Sequence, residues 1–344
     1  MLLAEFIKSG TRVLSNLYPE EEARSMVMCY CTEVFGFPVY QHITEPSTEI
    51  PPDLLDKAME DMARLGMSEP LQYVLGCTEC CGRRFAVDER ALIPRAETEM
   101  LCQIAQQLVK SSVAEEATPL GSSSSGLTPP PLRGGSPASV PRVARPSGGT
   151  PSALRILDLC TGSGCIAWTL ALNLPGAEVV ATDLSEDALA LAESQFSSRR
   201  PELDWSGRLP KKVAAPRFVK ADVLNVAATV AALGANPDGS RVRCNLLTAN
   251  PPYVMVSEKA EMRRNVLAWE PHMAIFAPDE DPLAFHKAIA SIARLVLAPG
   301  GRGIVEINSE LPEETAAVFT SAGLRDVKIN PDFFERPRFI SFGV

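Results

Sequence analysis

The tetrapeptide Asn250-Pro251-Pro252-Tyr253 combines residue types that could hold a flat amine or amide group. It follows the apolar residues 245–249, which predict the end of a buried strand. Each proline fixes its own φ, and Asn250 is extended because it precedes a proline, so the neighbouring polar groups have set directions. Tyr253 adds an aromatic face. The segment is either an ordinary loop after a strand or a cradle for a planar NH2 group, such as a carboxamide or an exocyclic base amine.

A glycine-rich turn, Gly162-Ser163-Gly164, lies between a predicted strand at 155–159 and a predicted helix. Its pattern is G-x-G-x-x-A, which permits a tight turn and close approach of a ligand, and the helix N-terminus offers free N–H groups. Asp183 stands 21 residues after Gly162, at the end of the next predicted strand, where a carboxylate can accept both hydroxyl groups of a ribose. We therefore expect a nucleoside-type cofactor, although Asp183 could also cap the following helix.

NAD and S-adenosylmethionine both fit the glycine turn and its acidic partner, so the acceptor side must separate them. A dehydrogenase needs a proton donor or acceptor beside the hydride acceptor, yet His42, His272 and His286 lie in no orienting motif. His286 falls inside a predicted helix, where a packing or surface role is expected. The tetrapeptide instead favours methyl transfer to a planar nitrogen. Asp222, which follows a further predicted strand, is either a contact near the adenine or a loop cap.

The overall composition restricts the class of partner. The chain has 344 residues, of which 46% are hydrophobic, and a formal net charge of −9 at pH 7. This length accommodates two domains, or one large domain with an appendage. Proteins that bind nucleic acid usually carry a basic face, so the acidic balance counts against such a partner. No stretch approaches the roughly 18 consecutive apolar residues of a membrane span, so none is expected.

Nine cysteines are scattered through apolar segments, and their odd number indicates reduced thiols in an intracellular compartment. The group Cys77-x-x-Cys80-Cys81 could suggest zinc, but no second CxxC or HxxxH pair lies nearby, so we expect no metal site. The first residues show no clear signal peptide, and the acidic run at 20–22 argues against a long transit peptide. Whether a leader was processed or is missing stays open.

The first part of the chain differs in pattern from the rest. Residues 1–75 are predicted to be helical, most clearly at 53–65, where the apolar residues form one face. Residues 83–93 predict a hairpin with Asp88-Glu89 at its turn, followed by a helix at 97–109. Gly, Ser and Pro dominate the last 30 residues of the segment 111–150, which cannot bury enough apolar surface to offset chain entropy. We expect this segment to be a disordered insertion or linker.

After this segment, predicted strands alternate with helices, which indicates an α/β fold with a mostly parallel sheet and helices on both faces. The strands are predicted at 155–159, 178–182, 217–220, 244–249, 303–307, 326–329 and 338–342. The helices are predicted at 165–174, 187–196, 282–297 and 313–322. Only a short loop joins the last two strands, so they should pair antiparallel at one edge of the sheet.

Several segments together resemble the peptide chain release factor glutamine methyltransferases (HemK/PrmC-like), and the resemblance covers the chain from about residue 50 onward, apart from 111–150. These segments are the tetrapeptide, the loop at 158–164, Glu69-Pro70-Leu71-Gln72-Tyr73-Val74-Leu75-Gly76, Ala91-Leu92-Ile93-Pro94-Arg95-Ala96-Glu97-Thr98-Glu99 and Trp269-Glu270-Pro271. The tetrapeptide is shared with adenine-N6 methyltransferases of nucleic acid. The PLQYVLG and IPRAETE segments are much more specific to the family.

The resemblance implies a Rossmann-like class I methyltransferase sheet with an antiparallel C-terminal edge and a small helical N-terminal domain that docks the substrate. The expected divisions are 1–82 for the docking domain, 83–110 for a hairpin hinge and connecting helix, 111–150 for the insertion and 151–344 for the methyltransferase domain. The implied reaction transfers a methyl group from S-adenosylmethionine to the side-chain nitrogen of the glutamine in the Gly-Gly-Gln loop of a class 1 release factor.

The resemblance also assigns residues to roles. Cofactor contacts would come from Asp158, Cys160, Thr161, Gly162, Ser163, Gly164, Asp183, Asp222, Val223 and Asn250. Substrate contacts would come from Arg95, Glu97, Thr98 and the four residues Asn250, Pro251, Pro252 and Tyr253, which are also the expected catalytic group. Because the sulfonium of the cofactor supplies the leaving group, no metal is required.

The chain departs from the family pattern at several places. Cys160 and His272 stand where the family usually has Gly and Arg, and Ala96 replaces a common proline. The run Glu306-Ile307-Asn308-Ser309 lacks a usual glycine and glutamine, and the segment 333–336 lacks an expected glycine. None of these changes removes a group that the chemistry needs, and they bear on the substrate groove.

Two rival functions stay open at this point. One is an adenine-N6 methyltransferase acting on DNA or RNA with the same cradle, which would want a basic groove. The other is a non-enzymatic scaffold with a cofactor fold, against which the retained Asp158, Gly162, Gly164, Asp183 and tetrapeptide speak. We also expect a monomer with no direct nucleic-acid or membrane partner, located in mitochondria or, alternatively, in the cytoplasm.

Overall fold

A computed structural model describes residues 1–116, 154–196, 213–235, 240 and 242–344. The N-terminal part consists of helices α1 (Leu3–Leu14), α2 (Glu20–Phe35), α3 (Gln41–Thr44), α4 (Pro52–Gly66) and α5 (Leu71–Leu75). The predicted helix at 53–65 is confirmed by α4. These helices share a core of their own around Phe6, Tyr30 and Leu65. The buried Tyr30 hydroxyl donates to the buried Asp61 carboxylate over 2.7 Å, so each of these two polar groups has a hydrogen-bond partner.

A hairpin follows the N-terminal helices, but not where the sequence predicted it. Its strands are β1 (Cys77–Cys80) and β2 (Arg83–Ala86), and Cys81 and Gly82 form the turn. The predicted hairpin at 83–93 with Asp88-Glu89 at the turn is wrong. Both turn residues have positive φ, 53° and 68°, as a type I′ hairpin turn requires. Cysteine is uncommon at the first position of such a turn, so the sequence pattern did not indicate a turn here.

Helix α6 (Ala96–Glu116) connects the hairpin with the second half of the chain. It begins near the predicted start but continues six residues past the expected end of the connecting helix at 110. The remainder of the predicted insertion, from residue 117 to 150, lies outside the described residues. Among the helices of the described ranges, none has the length and apolar character needed to cross a membrane.

A seven-stranded sheet forms the second half of the chain, in the order β5-β4-β3-β6-β7-β9-β8. The strands are β3 (Arg155–Leu159), β4 (Glu178–Asp183), β5 (Arg217–Lys220), β6 (Cys244–Ala249), β7 (Leu297–Glu306), β8 (Arg325–Pro331) and β9 (Pro337–Gly343). The first five are parallel to one another, and β9 pairs antiparallel with both β7 and β8. The predicted parallel sheet with an antiparallel C-terminal edge is therefore confirmed.

Helices cover the sheet on both faces. They are α7 (Cys165–Asn173), α8 (Glu186–Ser194), α9 (Val226–Ala232), α10 (Arg264–Trp269), α11 (Ala284–Val296) and α12 (Pro312–Ser321). One core contains residues of α9, α11 and α12, and a second core contains residues of α6 and α7. Helices α9 and α10 were not predicted. Because β3, β4, β5 and β6 are parallel, the loops after them meet at one edge of the sheet, which is where ligands bind in open α/β sheets.

Candidate active site

One cavity of about 420 Å³ opens at the carboxyl edge of the parallel strands. Most of the predicted cofactor residues line it, namely Cys160, Thr161, Gly162, Ser163, Asp183, Asp222, Val223 and Asn250. Its size is within the usual range of roughly 300–1,000 Å³ for a small-molecule site. The fold thus brings together groups that lie up to 90 residues apart in the chain.

The loop after β3 owes its shape to three residues in the left-handed region. Cys160, Gly162 and Gly164 have φ of 56°, 54° and 80°. A side chain at Gly164 would place its Cβ 2.8 Å from the Cβ of Ala192, so this position also needs glycine for space. Cys160 adopts a backbone conformation that favours glycine, which agrees with the glycine that the family resemblance leads one to expect at this position.

Asp158 supports this loop from beneath and does not line the cavity, unlike the role expected of it. It is fully buried, and its two carboxylate oxygens accept hydrogen bonds from the Thr161 and Thr248 hydroxyls over 2.6 and 2.7 Å. Thr248 lies opposite Asp158 in the β3–β6 pairing. Burial raises the pKa of the Asp158 carboxyl to about 7, against the two hydroxyls that lower it. Asp158 therefore joins the loop to the two central strands.

Asp183 ends β4 and faces the cavity. Its carboxylate accepts backbone N–H groups from Gly162 over 2.8 Å and from Ser185 over 3.0 Å. The N-cap of α8 is Ser185, whose hydroxyl accepts from Ala188, so capping is not the main role of Asp183. Burial raises the pKa of Asp183 above its ordinary value. Each oxygen keeps lone-pair capacity for one further donor, such as a ribose hydroxyl.

Asp222 combines the two roles that the sequence left open. Its side chain accepts the Leu224 N–H over 2.9 Å, which shapes the loop, and it also lines the cavity beside Val223. A loop fixed in this way places the apolar Val223 in the wall of the cavity.

An apolar wall whose residues were not predicted as site residues completes the cavity. Its residues are Leu92, Pro94, Met273, Phe276 and Phe285. Two backbone hydrogen bonds between Val254 and the 275–277 segment, of 3.1 and 2.9 Å, fix this wall against the chain that leaves the tetrapeptide. Leu92 and Pro94 belong to the 91–99 segment that carried the resemblance, whereas no motif marks Met273 and Phe276, whose places depend on this pairing.

The tetrapeptide divides between two environments. Asn250 and Pro252 line the cavity, whereas Pro251 and Tyr253 are not among its lining residues. The Tyr253 hydroxyl donates to Glu306 Oε1 over 2.8 Å, and the Tyr253 carbonyl accepts from Asn308 Nδ2 over 3.2 Å. The Tyr253 ring, which is predicted to stack on a substrate, is therefore held at its hydroxyl end by the last residue of β7.

Glu306, which the sequence reading did not select, is buried beneath Tyr253. Burial raises the pKa of this carboxyl to about 7, while the hydrogen bond from Tyr253 and the charge of Arg338 lower it. Glu97 and Arg95 also act on it electrostatically. Residues from α6, β7 and β9 thus surround the base of the tyrosine.

The three predicted substrate residues before α6 and in its first turn have different surroundings. Arg95 Nη2 forms an ion pair with the buried Glu270 over 2.5 Å, and Glu270 also accepts the Ile93 N–H. Thr98 is buried, accepts the Arg95 N–H over 3.2 Å and lines the cavity. Glu97 lies within electrostatic reach of Glu306. Arg95 therefore holds two segments together, in addition to any contact with a substrate.

The segments that carried the resemblance pack against one another. Tyr73, Val87 and Ile93 form a buried cluster with Trp269 beside it, and the Tyr73 hydroxyl donates to the Ala91 carbonyl over 2.8 Å. Beyond this cluster, Arg263 and Glu22 form an ion pair between the loop before α10 and helix α2. The N-terminal helices are thereby joined to the chain that follows the tetrapeptide.

Comparison with known proteins identifies the family. The chain is 33% identical over 330 residues to a release factor glutamine methyltransferase of Bacteroides thetaiotaomicron, covering 95% of each protein. The chain belongs to the release factor glutamine methyltransferase family. Proteins of the same name from Chlorobaculum tepidum and Flavobacterium psychrophilum are 34% and 28% identical, and the alignments cover 79% and 99% of this chain and 74% and 98% of theirs. A scan against protein-family models gave no match.

The similarity to the Bacteroides relative is not confined to one half of the chain. The alignment with the Bacteroides relative runs through both the N-terminal helices and the sheet.

Proposed function

We propose that this protein transfers a methyl group from S-adenosylmethionine to the side-chain amide nitrogen of the glutamine in the Gly-Gly-Gln loop of a class 1 peptide chain release factor. The observation that carries the proposal is the placement of Asn250 at the wall of a nucleoside-sized cavity, between the glycine loop and a tyrosine anchored by Glu306. Family membership supplies the class of substrate.

The residues around the cavity suit a nucleoside cofactor with a charged end. Asp183 offers acceptor capacity to two ribose hydroxyls, and Val223 and Asp222 line the cavity where the adenine would lie. The glycine loop permits close approach of the amino-acid end of the cofactor. A Cβ added to Gly162 would have no protein atom within 4 Å, so the space beside this residue is open to a ligand. When bound, S-adenosylmethionine supplies an electrophilic methyl group on a sulfonium.

The chain's task is to orient a poor nucleophile. The lone pair of a carboxamide nitrogen is delocalised into the carbonyl, so it must be aimed at the methyl group. The Asn250 side-chain oxygen and the Pro251 carbonyl would accept the two N–H groups of the substrate amide, and Tyr253 would stack on its plane. Holding two reactants in line contributes on the order of 7–11 kcal/mol by avoided entropy.

The proton leaves the nitrogen after methyl transfer in this proposal. Neither of the two carboxyls whose pKa is raised to about 7 lines the cavity, since Asp158 lies under the glycine loop and Glu306 under Tyr253. A dedicated base is not needed for the step, because a methylated amide cation is a strong acid that loses its proton to water.

The charges near the site favour a protein amide over a nucleic-acid base. The arginines around the site already pair with carboxylates: Arg90 with Asp88, Arg95 with Glu270, and Arg338 with Asp332. Paired arginines bind phosphates weakly because each new contact competes with an existing partner. Together with the net charge of −9, this makes adenine-N6 methylation the weaker alternative.

Labelled methyl transfer separates the two substrates. Purified protein and labelled S-adenosylmethionine would be incubated in parallel with a class 1 release factor, with double-stranded DNA and with RNA. Label is expected in the release factor alone, and a release factor whose loop glutamine is replaced by alanine should stay unlabelled. Label in DNA or RNA adenine, with none in the factor, would replace this function with the alternative.

The compartment and the assembly state belong to the same proposal. We infer that the protein acts as a monomer on a mitochondrial release factor, since the Gly/Ser/Pro-rich segment before Thr150 is more typical of eukaryotic chains. Sedimentation of the purified protein and microscopy of the tagged full chain test the two points.

A further inference from the structure

Four cysteines lie together where the hairpin packs against α6 and α7, and one of them, Cys165, also lines the methyl-transfer cavity. Cys80 ends β1, Cys81 occupies the hairpin turn, Cys102 lies on α6 and Cys165 begins α7. All four belong to one packed cluster, and the Sγ atoms of Cys80 and Cys81 are 3.9 Å apart. Among the described residues, no group of three or more His, Cys, Asp or Glu is arranged to hold a metal ion. The cysteines of this cluster are free thiols, whose reactivity depends on their exposure and on their neighbours.

Cys81 differs from the other three cysteines in the properties that set thiol reactivity. It is partly exposed, whereas Cys80, Cys102 and Cys165 are buried. Hydrogen bonds from the Cys102 and Cys80 thiols, together with the nearby Arg83, lower the pKa of Cys81, although its burial opposes this. The hydrogen bond between the Cys81 and Cys102 thiols raises the pKa of Cys102, and so does its burial. The thiolate is the nucleophilic form of cysteine, and accessible thiolates beside donors and cations are the ones that oxidants attack.

The hairpin that carries Cys81 is bonded to the glycine loop through one buried side chain. Gln195, which follows α8, accepts the Ala86 N–H over 3.0 Å and donates to the Ala86 carbonyl over 2.9 Å. The same Nε2 donates to the Ser163 carbonyl over 3.2 Å. Cys165, which faces Cys80 across the thiol cluster, also lines the cavity. A displacement of the hairpin is thus transmitted to the cavity wall by two routes.

We propose that Cys81 is a peroxide-sensitive thiol and that Cys102 resolves its oxidised form into a disulfide between the hairpin and α6. The Cys81 thiolate attacks hydrogen peroxide, which breaks the O–O bond, forms Cys81 sulfenic acid and releases hydroxide. Cys102 then attacks the sulfenic sulfur, and the sulfenic oxygen leaves as water after taking up the thiol proton. Two thiols are oxidised by two electrons in total, and one peroxide is reduced to two waters.

The disulfide changes the cavity because it changes the position of the turn. Two sulfurs in a disulfide lie about 2.05 Å apart, well inside the contact distance of two thiols, so the turn must move towards α6. The positive φ of Cys81 and Gly82 gives this turn a shape that the rest of the hairpin depends on. The movement pulls on Ala86 and on Gln195, and so loosens the hydrogen bond that holds Ser163 in the glycine loop. Oxidation is therefore expected to weaken cofactor binding, and this consequence rests on the proposed function.

Peptide mapping after mild oxidation tests the disulfide directly. The full chain, first reduced, would be treated with a small excess of hydrogen peroxide, alkylated and digested, and cross-linked peptides would be located by tandem mass spectrometry. A Cys81–Cys102 cross-link is expected, together with a roughly tenfold weaker affinity for S-adenosylmethionine in calorimetry, equivalent to the loss of about one hydrogen bond. Dithiothreitol should restore both. This mapping does not depend on any methyl acceptor, so it fails or succeeds separately from the proposed function.

Matched variants decide between this disulfide and general thiol damage. Cys81→Ser and Cys102→Ala should both bind S-adenosylmethionine as tightly as the unaltered protein does before oxidation. Neither variant should lose affinity after treatment with peroxide. Cys29→Ser, which removes the exposed cysteine of α2, should respond as the unaltered protein does. A response that persists in Cys81→Ser, or a cross-link that joins Cys80 to Cys81, would overturn the assignment. An unchanged affinity in fully cross-linked protein would overturn the link to the cavity.

Discussion

The cofactor side and the acceptor side of this site are assembled from different parts of the chain. On the cofactor side, each polar group follows a strand and is held by its close neighbours in the chain or on the next strand, as Asp183 is by Gly162 and Ser185. On the acceptor side, Tyr253 is held by Glu306, 53 residues later in the chain. The segment before α6 is also held on this side, because Arg95 pairs with Glu270, 175 residues later in the chain. A cofactor site built locally can serve many reactions, whereas the acceptor site depends on the whole fold.

The largest effect is expected on the acceptor side, at Asn250. Asn250→Ala removes the side-chain oxygen that orients the substrate amide, and misplaced reactants lose about 10²-fold in rate. We expect kcat to fall by at least this factor, with the affinity for S-adenosylmethionine changed by much less. Single-turnover assays and calorimetry on the same preparation measure the two quantities. A loss of cofactor affinity as large as the loss of kcat would mean that Asn250 acts mainly by binding the cofactor.

A substitution on the cofactor side should show the opposite division. Asp183→Asn keeps the shape but removes the charge that accepts ribose hydroxyls, and hydrogen bonds to charged groups contribute about 1.5–3 kcal/mol. The dissociation constant for S-adenosylmethionine should therefore rise by roughly tenfold or more, while kcat at saturating cofactor stays near its original value. Asp187→Asn, on the first turn of α8, is the control and should leave binding unchanged.

The shape of the glycine loop can be tested apart from its charge. Gly164→Ala places a Cβ 2.8 Å from Ala192, whereas Gly176→Ala meets no atom within 4 Å, and both positions have positive φ. The overlap at Gly164 should cost roughly 1–3 kcal/mol beyond the backbone strain that both variants share. Chemical denaturation should show this difference in the free energy of unfolding, and cofactor affinity should fall in Gly164→Ala only. Equal stability of the two variants would show that Ala192 does not restrict the loop.

The buried Asp158 gives the cofactor side a pH dependence. Its pKa rises from 3.8 to about 7 on folding, so between these values the folded protein holds a proton that the unfolded chain has lost. Stability should therefore fall as the pH rises through this window, by about 1.4 kcal/mol per pH unit for one proton. Glu306 contributes in the same direction, because its pKa is also raised to about 7. Asp158→Asn should flatten the profile of unfolding free energy against pH between 4 and 7, and an unaltered slope would contradict the assignment.

The smallest effect is expected from the anchor of the tyrosine. Tyr253→Phe keeps the ring but removes the hydroxyl that donates to Glu306, and a single hydrogen bond contributes about 1 kcal/mol. We expect a several-fold fall in kcat with unchanged cofactor affinity, since the ring would be less well held. Tyr40→Phe, in an exposed tyrosine of the N-terminal part, is the matched control. A change in the affinity for S-adenosylmethionine would show that the cofactor side and the acceptor side are not independent.

The same contrast explains what the sequence could and could not predict. Strands β3, β5 and β6 were predicted at their observed bounds, because short apolar runs between turns are a local signal. The glycine loop, Asp183 and Asp222 were found for the same reason. Glu306, Met273 and Phe276 were missed, since their positions follow from pairings between distant segments. The hairpin was misplaced because its turn uses a cysteine at a position with positive φ.

Mass spectrometry of a release factor shows directly whether this protein methylates the loop glutamine. A class 1 factor would be incubated with this protein and S-adenosylmethionine, digested, and its Gly-Gly-Gln peptide fragmented to locate any added group. We expect one added methyl on the glutamine side-chain nitrogen, and none when Asn250→Ala replaces the unaltered protein. An unmodified glutamine, or a methyl group on another residue of the factor, would contradict it.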